Sequence, residues 1–190
     1  RVIYSIFHER KIKQLIIPKN YDRNQLSKNI ISVAQEKGVN IKMVERGAFF
    51  RADEVIIKVI HPLNKVKLSN NRNANSVVLR VQYHDFSLLL TGDLEEIGEK
   101  GLIREKVYLK SDIIKLGHHG SSTSSSYNFL KQVSARDAII SVGKNNYGHP
   151  APVVLLRLEK LGIRQWQTIE NGAILIKTNG RKYSIKGFLN

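Results

Sequence analysis

The sequence predicts a mixed α/β domain, a sheet covered by helices, and three observations carry that expectation. Short runs rich in Ile, Leu and Val recur along the chain with Gly, Asn or Asp near their ends, the pattern of buried strands. Between them lie segments whose apolar residues repeat at helical spacing. An apolar content of 42% over 190 residues can bury a sizeable core, and the length favours one domain, or part of one, over two.

Taken in order, residues 13–17 read as a strand, 22–37 as a helix capped near Asp22 and closed by Gly38, and 39–44 as a strand. Residues 54–61 and 76–83 are β-rich, and a His84-Asp85 turn joins the latter to 86–91 as an antiparallel hairpin. The intervening stretch 63–75, with five asparagines, is a polar loop. Strands at 112–117, 137–142, 164–169 and 173–177 then alternate with helices near 94–103, 127–133 and 152–161, the last helped to start by Pro152. Asn179-Gly180 turns a final hairpin into 181–188. No internal repeat is apparent.

Composition narrows the chemistry. There is no cysteine, which excludes disulfides and thiolate metal sites and leaves imidazole and carboxylate as the metal donors. No run approaches the roughly 18 apolar residues that a membrane span needs, and the charged start lacks the apolar core of a signal peptide. The chain opens at Arg1 and enters directly into helical pattern, which predicts an excerpt from a longer protein. With 31 Lys+Arg against 16 Asp+Glu, the net charge of +15 favours a polyanionic partner. The basicity is distributed along the chain, so a generally basic surface, or one facing acidic lipid headgroups, is the plainer alternative.

Three motifs sit at predicted strand ends, where a rigid sheet can hold loop side chains in place. In Leu88-Leu89-Leu90-Thr91-Gly92-Asp93 an apolar strand followed by Gly-Asp delivers a carboxylate from a buried sheet into a crevice. Asp93 with Glu96 three residues later also reads as a capping box, and taken alone the motif favours the cap. In Leu116-Gly117-His118-His119-Gly120-Ser121-Ser122 adjacent histidines between glycines suit metal ligation and proton transfer. The serines of 121–126 could cap the next helix or, with backbone amides, meet phosphate oxygens. In Ser141-Val142-Gly143-Lys144-Asn145-Asn146-Tyr147-Gly148-His149-Pro150, Lys144 and the asparagines suit a phosphate, and His149 suits a metal or an acid role. His61 reads as structural, and His8 and His84 as surface or turn residues.

Together these stretches, with Asn75-Ser76-Val77-Val78-Leu79-Arg80 before them and Ile139-Ile140-Ser141-Val142-Gly143 among them, resemble the carboxy-terminal domain of the ComEC family of DNA internalisation proteins. The resemblance implies a metallo-β-lactamase-like αββα sandwich, here a single incomplete domain over 1–190 that lacks the upstream His-x-His-x-Asp-His segment. It implies a metal-dependent phosphodiesterase or nuclease that degrades the non-imported DNA strand during uptake, with two divalent ions, Mn²⁺ or Zn²⁺, in the intact domain. Asp93 and His118 are then expected as metal ligands, His119 and His149 as catalytic residues, and Ser121, Ser122, Lys144 and Asn146 as contacts to phosphate or DNA. The implied partners are single-stranded DNA, bound without sequence preference, and the membrane channel portion of a parent bacterial protein, with this domain on its extracytoplasmic side. The alternatives are a catalytically degenerate DNA-binding or structural module, and a small-molecule hydrolase of the same fold.

Overall fold

A computed structural model describes residues 6–7, 9–19, 21, 24–63 and 73–189. The chain divides into two compact units, residues 1–45 and 46–190.

The first unit is a β-α-β element. Strands β1 (Gln14–Pro18) and β2 (Asn40–Val44) pair in parallel, and helix α1 (Gln25–Glu36) connects them. Ile30, Val33 and Ala34, at helical spacing, pack with Phe7, Ile12, Leu15, Val39 and Ile41. Asn24 caps the helix, its side-chain oxygen accepting from the Ser27 amide at 2.9 Å; the expected cap at Asp22 lies outside the described residues. At the other end Val39 N donates to Ala34 O and Gly38 N to Gln35 O, a Schellman closure for which Gly38 supplies the left-handed φ of +65°. The closing glycine is where the sequence placed it.

The second unit is built on a seven-stranded sheet whose spatial order follows the sequence: β3 (Phe49–Ala52), β4 (Val55–His61), β5 (Val78–Tyr83), β6 (Phe86–Leu90), β7 (Ile113–Lys115), β8 (Asp137–Ile140) and β9 (Arg164–Gln167). β3 to β6 form an antiparallel meander, and β6 to β9 are parallel. The parallel strands need crossovers, which α2 (Glu96–Arg104), α3 (Tyr127–Val133) and α4 (Pro152–Lys160) provide. The two sheet faces bury different layers, as the period of two requires. Leu89, Ile114, Ala138 and Ile140 meet Leu94, Leu102, Phe129, Leu130, Val154 and Leu158 of the helical layer. Phe86, Ile113 and Ile139, on the other face, meet Ile174, Ile176, Tyr183 and Ile185 of a hairpin, β10 (Ile174–Thr178) and β11 (Tyr183–Gly187). Each large side chain fully buried in these layers contributes about 1.5–3 kcal/mol.

Two expectations change. β3 was not legible as a strand: it is a four-residue edge strand with Phe49 exposed, too short to show alternation. The strand expected over 164–169 stops at Gln167, and Thr168–Asn171 forms one helical turn, α5. The Thr168 hydroxyl there accepts from Val142 N and donates to Val142 O, both at 2.7 Å, and so ties this turn to the loop after β8.

Asp137 fastens the hairpin to the sheet. It is fully buried and accepts from Arg164 Nε at 2.5 Å, Trp166 Nε1 at 2.8 Å and Tyr183 Oη at 2.6 Å. Burial alone would raise its pKa, but the hydrogen bonds from Arg164, Tyr183 and Trp166 outweigh it and hold the carboxyl below its ordinary 3.8. A depressed folded pKa stabilises the fold above the unfolded value, and that contribution is lost as pH falls through the folded one. Asp137→Asn is therefore expected to destabilise by about 2–4 kcal/mol at neutral pH. The Arg164 share is small because that side chain is 65% exposed. Urea titrations should show the gap between wild type and variant closing below about pH 4.

Candidate active site

The C-terminal ends of β4, β6, β7 and β8 lie on one edge of the sheet, because β4 runs parallel to β6 across the antiparallel β5. In open α/β sheets this edge is where ligands bind. All three sequence motifs emerge there.

After β6 the chain turns at Gly92, with φ +56°, into Asp93. The Thr91 hydroxyl donates to Lys115 O at 2.7 Å, which locks the end of β6 to β7. Asp93 is not a helix cap: α2 begins at Glu96 with Glu95 in the N-cap position and no side-chain cap bond, so the carboxylate is left half-exposed at the edge. Lys115, given no role from sequence, lies beneath it and donates from Nζ to Gly92 O at 3.2 Å. Burial pulls the Lys115 pKa down, and the charge of Asp93 opposes that shift.

After β7, His118 and His119 both take left-handed conformations, φ +45° and +54°. For non-glycine residues this is strained by an order of 1–3 kcal/mol each. It sends the two rings apart, with centroids 6.4 Å from each other and planes at 62°. His119 Nδ1 donates to Ser141 O at 2.6 Å, so that in the neutral ring Nε2, 3.9 Å from Asp93 Oδ1, is the nitrogen that carries the lone pair. That separation is too long for a hydrogen bond, and the facing carboxylate and imidazole would suit a shared divalent cation. His118 Nδ1 faces Glu95 Oε1 at 3.4 Å and Asn73 Nδ2 at 3.5 Å. Sequence reading paired Asp93 with His118; the short approach to Asp93 is made by His119.

The serine run is an ordered clamp. Ser124 Oγ donates to Gly117 O at 2.8 Å and Ser121 O at 3.0 Å, fixing the di-histidine turn from behind. Glu99, buried within α2, accepts the amides of Ser125 and Ser126 at 2.5 and 2.9 Å, and Arg157 donates to the carbonyls of Ser124 and Ser125. The cap bond expected from a serine is absent: Ser126 occupies the N-cap of α3, but its side chain bonds to the Glu99 carboxylate instead of accepting from a first-turn amide. Burial raises the Glu99 pKa, and the Ser126 and Ser125 hydrogen bonds act against it. Ser121 is buried and bonded to Thr123 Oγ1 at 3.1 Å, whereas Ser122 is exposed.

After β8, residues 143–149 fold around Asn145. Its Nδ2 donates to Gly143 O and His149 O, both at 2.8 Å, and its Oδ1 accepts from Tyr147 N at 3.0 Å and His149 N at 3.1 Å. His149 brings its ring to 5.6 Å from that of His118. Burial, then the neighbouring His118 and His119, lower its pKa and favour the neutral ring; its Nδ1 is enclosed without a hydrogen-bond partner among the described residues. A cleft of about 400 Å³ is lined by His119, Lys144, Asn145, Tyr147 and His149. Asn145 rather than Asn146 lines it, although both are exposed.

His61 is buried where β4 ends at an irregularity in its pairing with β5, and its Nδ1 donates to Ser76 O at 2.7 Å. His84 lies in the exposed β5–β6 turn facing Glu54 at 3.5 Å, and His8 falls outside the described residues. The donor chemistry at the edge fits part of a metal site: Asp93 with His119 supplies a facing carboxylate and imidazole. Among the described residues no group of three His, Asp or Glu side chains is assembled to hold an ion.

The fold and this strand-end site define a mixed α/β domain that carries its candidate site at one edge of a central sheet. Among solved structures, CmlA, a diiron β-hydroxylase from Streptomyces venezuelae, superposes with a TM-score of 0.54 at 10% identity over 85% of this chain and 39% of that one, a likeness in fold alone. No family model matches the chain. ComE operon protein 3 of Bacillus subtilis is 34% identical over 177 residues, 93% of this chain and 23% of that protein. Competence protein ComA of Neisseria gonorrhoeae is 39% identical over 124 residues, 64% and 18% of the respective chains. The chain is a ComEC-like domain. It spans less than a quarter of the length of these relatives. Among the described residues no helix is long and apolar enough to cross a membrane.

Proposed function

We propose that this domain contributes the carboxylate and imidazole edge of a metal-dependent phosphodiesterase that acts on DNA during competence uptake, on the strand that is not imported, outside the cytoplasmic membrane. The approach of Asp93 to His119, flanked by His118, His149 and Lys144 in one basic protein, carries the reading. Asp93 and His119 would hold a divalent ion, Mn²⁺ or Zn²⁺, and the segment upstream of Arg1 would supply the donors for a two-ion site. Such ions supply Lewis acidity and an acidified water for in-line attack on phosphorus.

The chain's own residues do the rest. Ser141 O fixes the tautomer and direction of His119. Lys144 attracts the phosphodiester anion. His149, neutral before the anion arrives, takes up a proton more readily beside it and can pass that proton to the leaving oxygen.

The test is cleavage of single-stranded DNA with Mn²⁺ by a version extended upstream to include the expected His-x-His-x-Asp-His segment. Cleavage should stop on chelation. Binding should weaken as salt rises, with a log–log slope of about −0.7 per phosphate neutralised on single strands. Salt-sensitive binding without cleavage would instead favour the non-catalytic module, and cleavage of small phosphodiesters without DNA binding the small-molecule hydrolase.

A further inference from the structure

The loop after β8 holds a large aromatic ring in solvent at the mouth of the cleft. Tyr147 is 83% exposed, the most exposed of the large apolar and aromatic side chains among the described residues. Burial does not account for that placement, and neither does disorder of the loop. The Asn145 carboxamide pins the backbone on both sides of the ring, accepting from the Tyr147 amide and tying Gly143 to His149. The backbone that carries the ring therefore has little freedom left to lose when something docks on it. One side of it stacks on His149, centroids 6.0 Å apart and planes at 27°. Lys144, His119 and Val142 share the same cleft.

We propose that Tyr147 is a base-stacking platform for a single-stranded polynucleotide, so that the nucleobase beside the phosphodiester lies on the Tyr147 ring while Lys144 meets the backbone phosphate. The inference rests on the nucleic-acid reading above and deepens it by naming the residue that selects strand state. A base inside a duplex is already stacked on both faces, so reaching Tyr147 costs a few kcal/mol of unstacking that a single strand does not incur. One ring accepts any base, because every base presents a π-face. The occupant is argued from charge as well as shape: the chain carries +15, and Lys144 is the cation beside the ring.

The experiment compares equilibrium binding of a labelled oligothymidylate, and of an abasic oligomer of equal length, to the 190-residue chain, to Tyr147→Ala and to Tyr147→Phe. Tyr147→Ala is expected to weaken oligothymidylate binding roughly 5- to 150-fold, the equivalent of one stacked base. Tyr147→Phe should bind it as wild type does, and all three proteins should bind the abasic oligomer alike. Undiminished oligothymidylate binding by Tyr147→Ala, or an equal loss on the abasic oligomer, overturns the platform while leaving the nucleic-acid reading standing. Failure of wild type to bind either oligomer overturns both.

Discussion

Asp93→Ala is expected to lower Mn²⁺-dependent cleavage of single-stranded DNA by at least about 10³-fold, roughly 4 kcal/mol of barrier, in the protein extended upstream. The carboxylate is the acidic group that faces the His119 lone pair across the cleft edge, and alanine removes that donor outright. The same substitution should leave the fold intact. Asp93 caps no helix and is half-exposed, so its stability cost should stay within about 0.5 kcal/mol. DNA binding should hold or tighten slightly, because a negative charge has been taken from a basic protein. Loss of chemistry with retained binding is thus the signature; equal cleavage by both proteins removes Asp93 from the mechanism.

Gly117→Ala is expected to cost about 2–4 kcal/mol of stability. A methyl group at this position would sit 2.6 Å from Leu94 O and 3.5 Å from Thr91 Oγ1. The Leu94 carbonyl cannot yield easily, since Leu94 is fully buried and its amide donates to Thr91 O. Moving Gly117 instead strains its carbonyl's bond from Ser124 and shifts the di-histidine turn that follows. Gly143→Ala, which meets nothing within 4 Å, is the control and should stay within about 0.5 kcal/mol. Denaturant midpoints read the difference. Matching midpoints for Gly117→Ala and wild type would show that the loops after β6 and β7 do not approach as closely as described.

Both predictions depend on features of unequal visibility in sequence. Gly-Asp after an apolar run and His-His between glycines mark positions where a strand ends and the backbone must turn sharply, so the three loops and most elements of the sheet could be placed from pattern. The partners could not. Lys115 looked like an ordinary strand residue, yet the parallel pairing of β6 with β7 puts it under Asp93. Nothing in the sequence marks Glu99, and only the packing of α2 beside the serine loop shows it receiving two amides. The capping-box reading of Asp93 failed for a related reason: the helix starts later, at Glu96, whose amide donates to Thr123 O across the fold.

The sequence by itself determined the order of most elements, the basic charge, the absence of thiolate chemistry and the loops from which acidic and imidazole groups emerge, because periodicity and turn residues are local properties of the chain. The tertiary structure alone decided that His119 rather than His118 approaches Asp93, that Asn145 rather than Asn146 organises the last loop, and that Tyr147 stands in solvent on a pinned backbone. Neighbouring histidines or asparagines are equivalent in pattern. The left-handed turn, the strand register and the hydrogen bond from His119 to Ser141 make them different, and these arise from contacts between segments far apart in the chain.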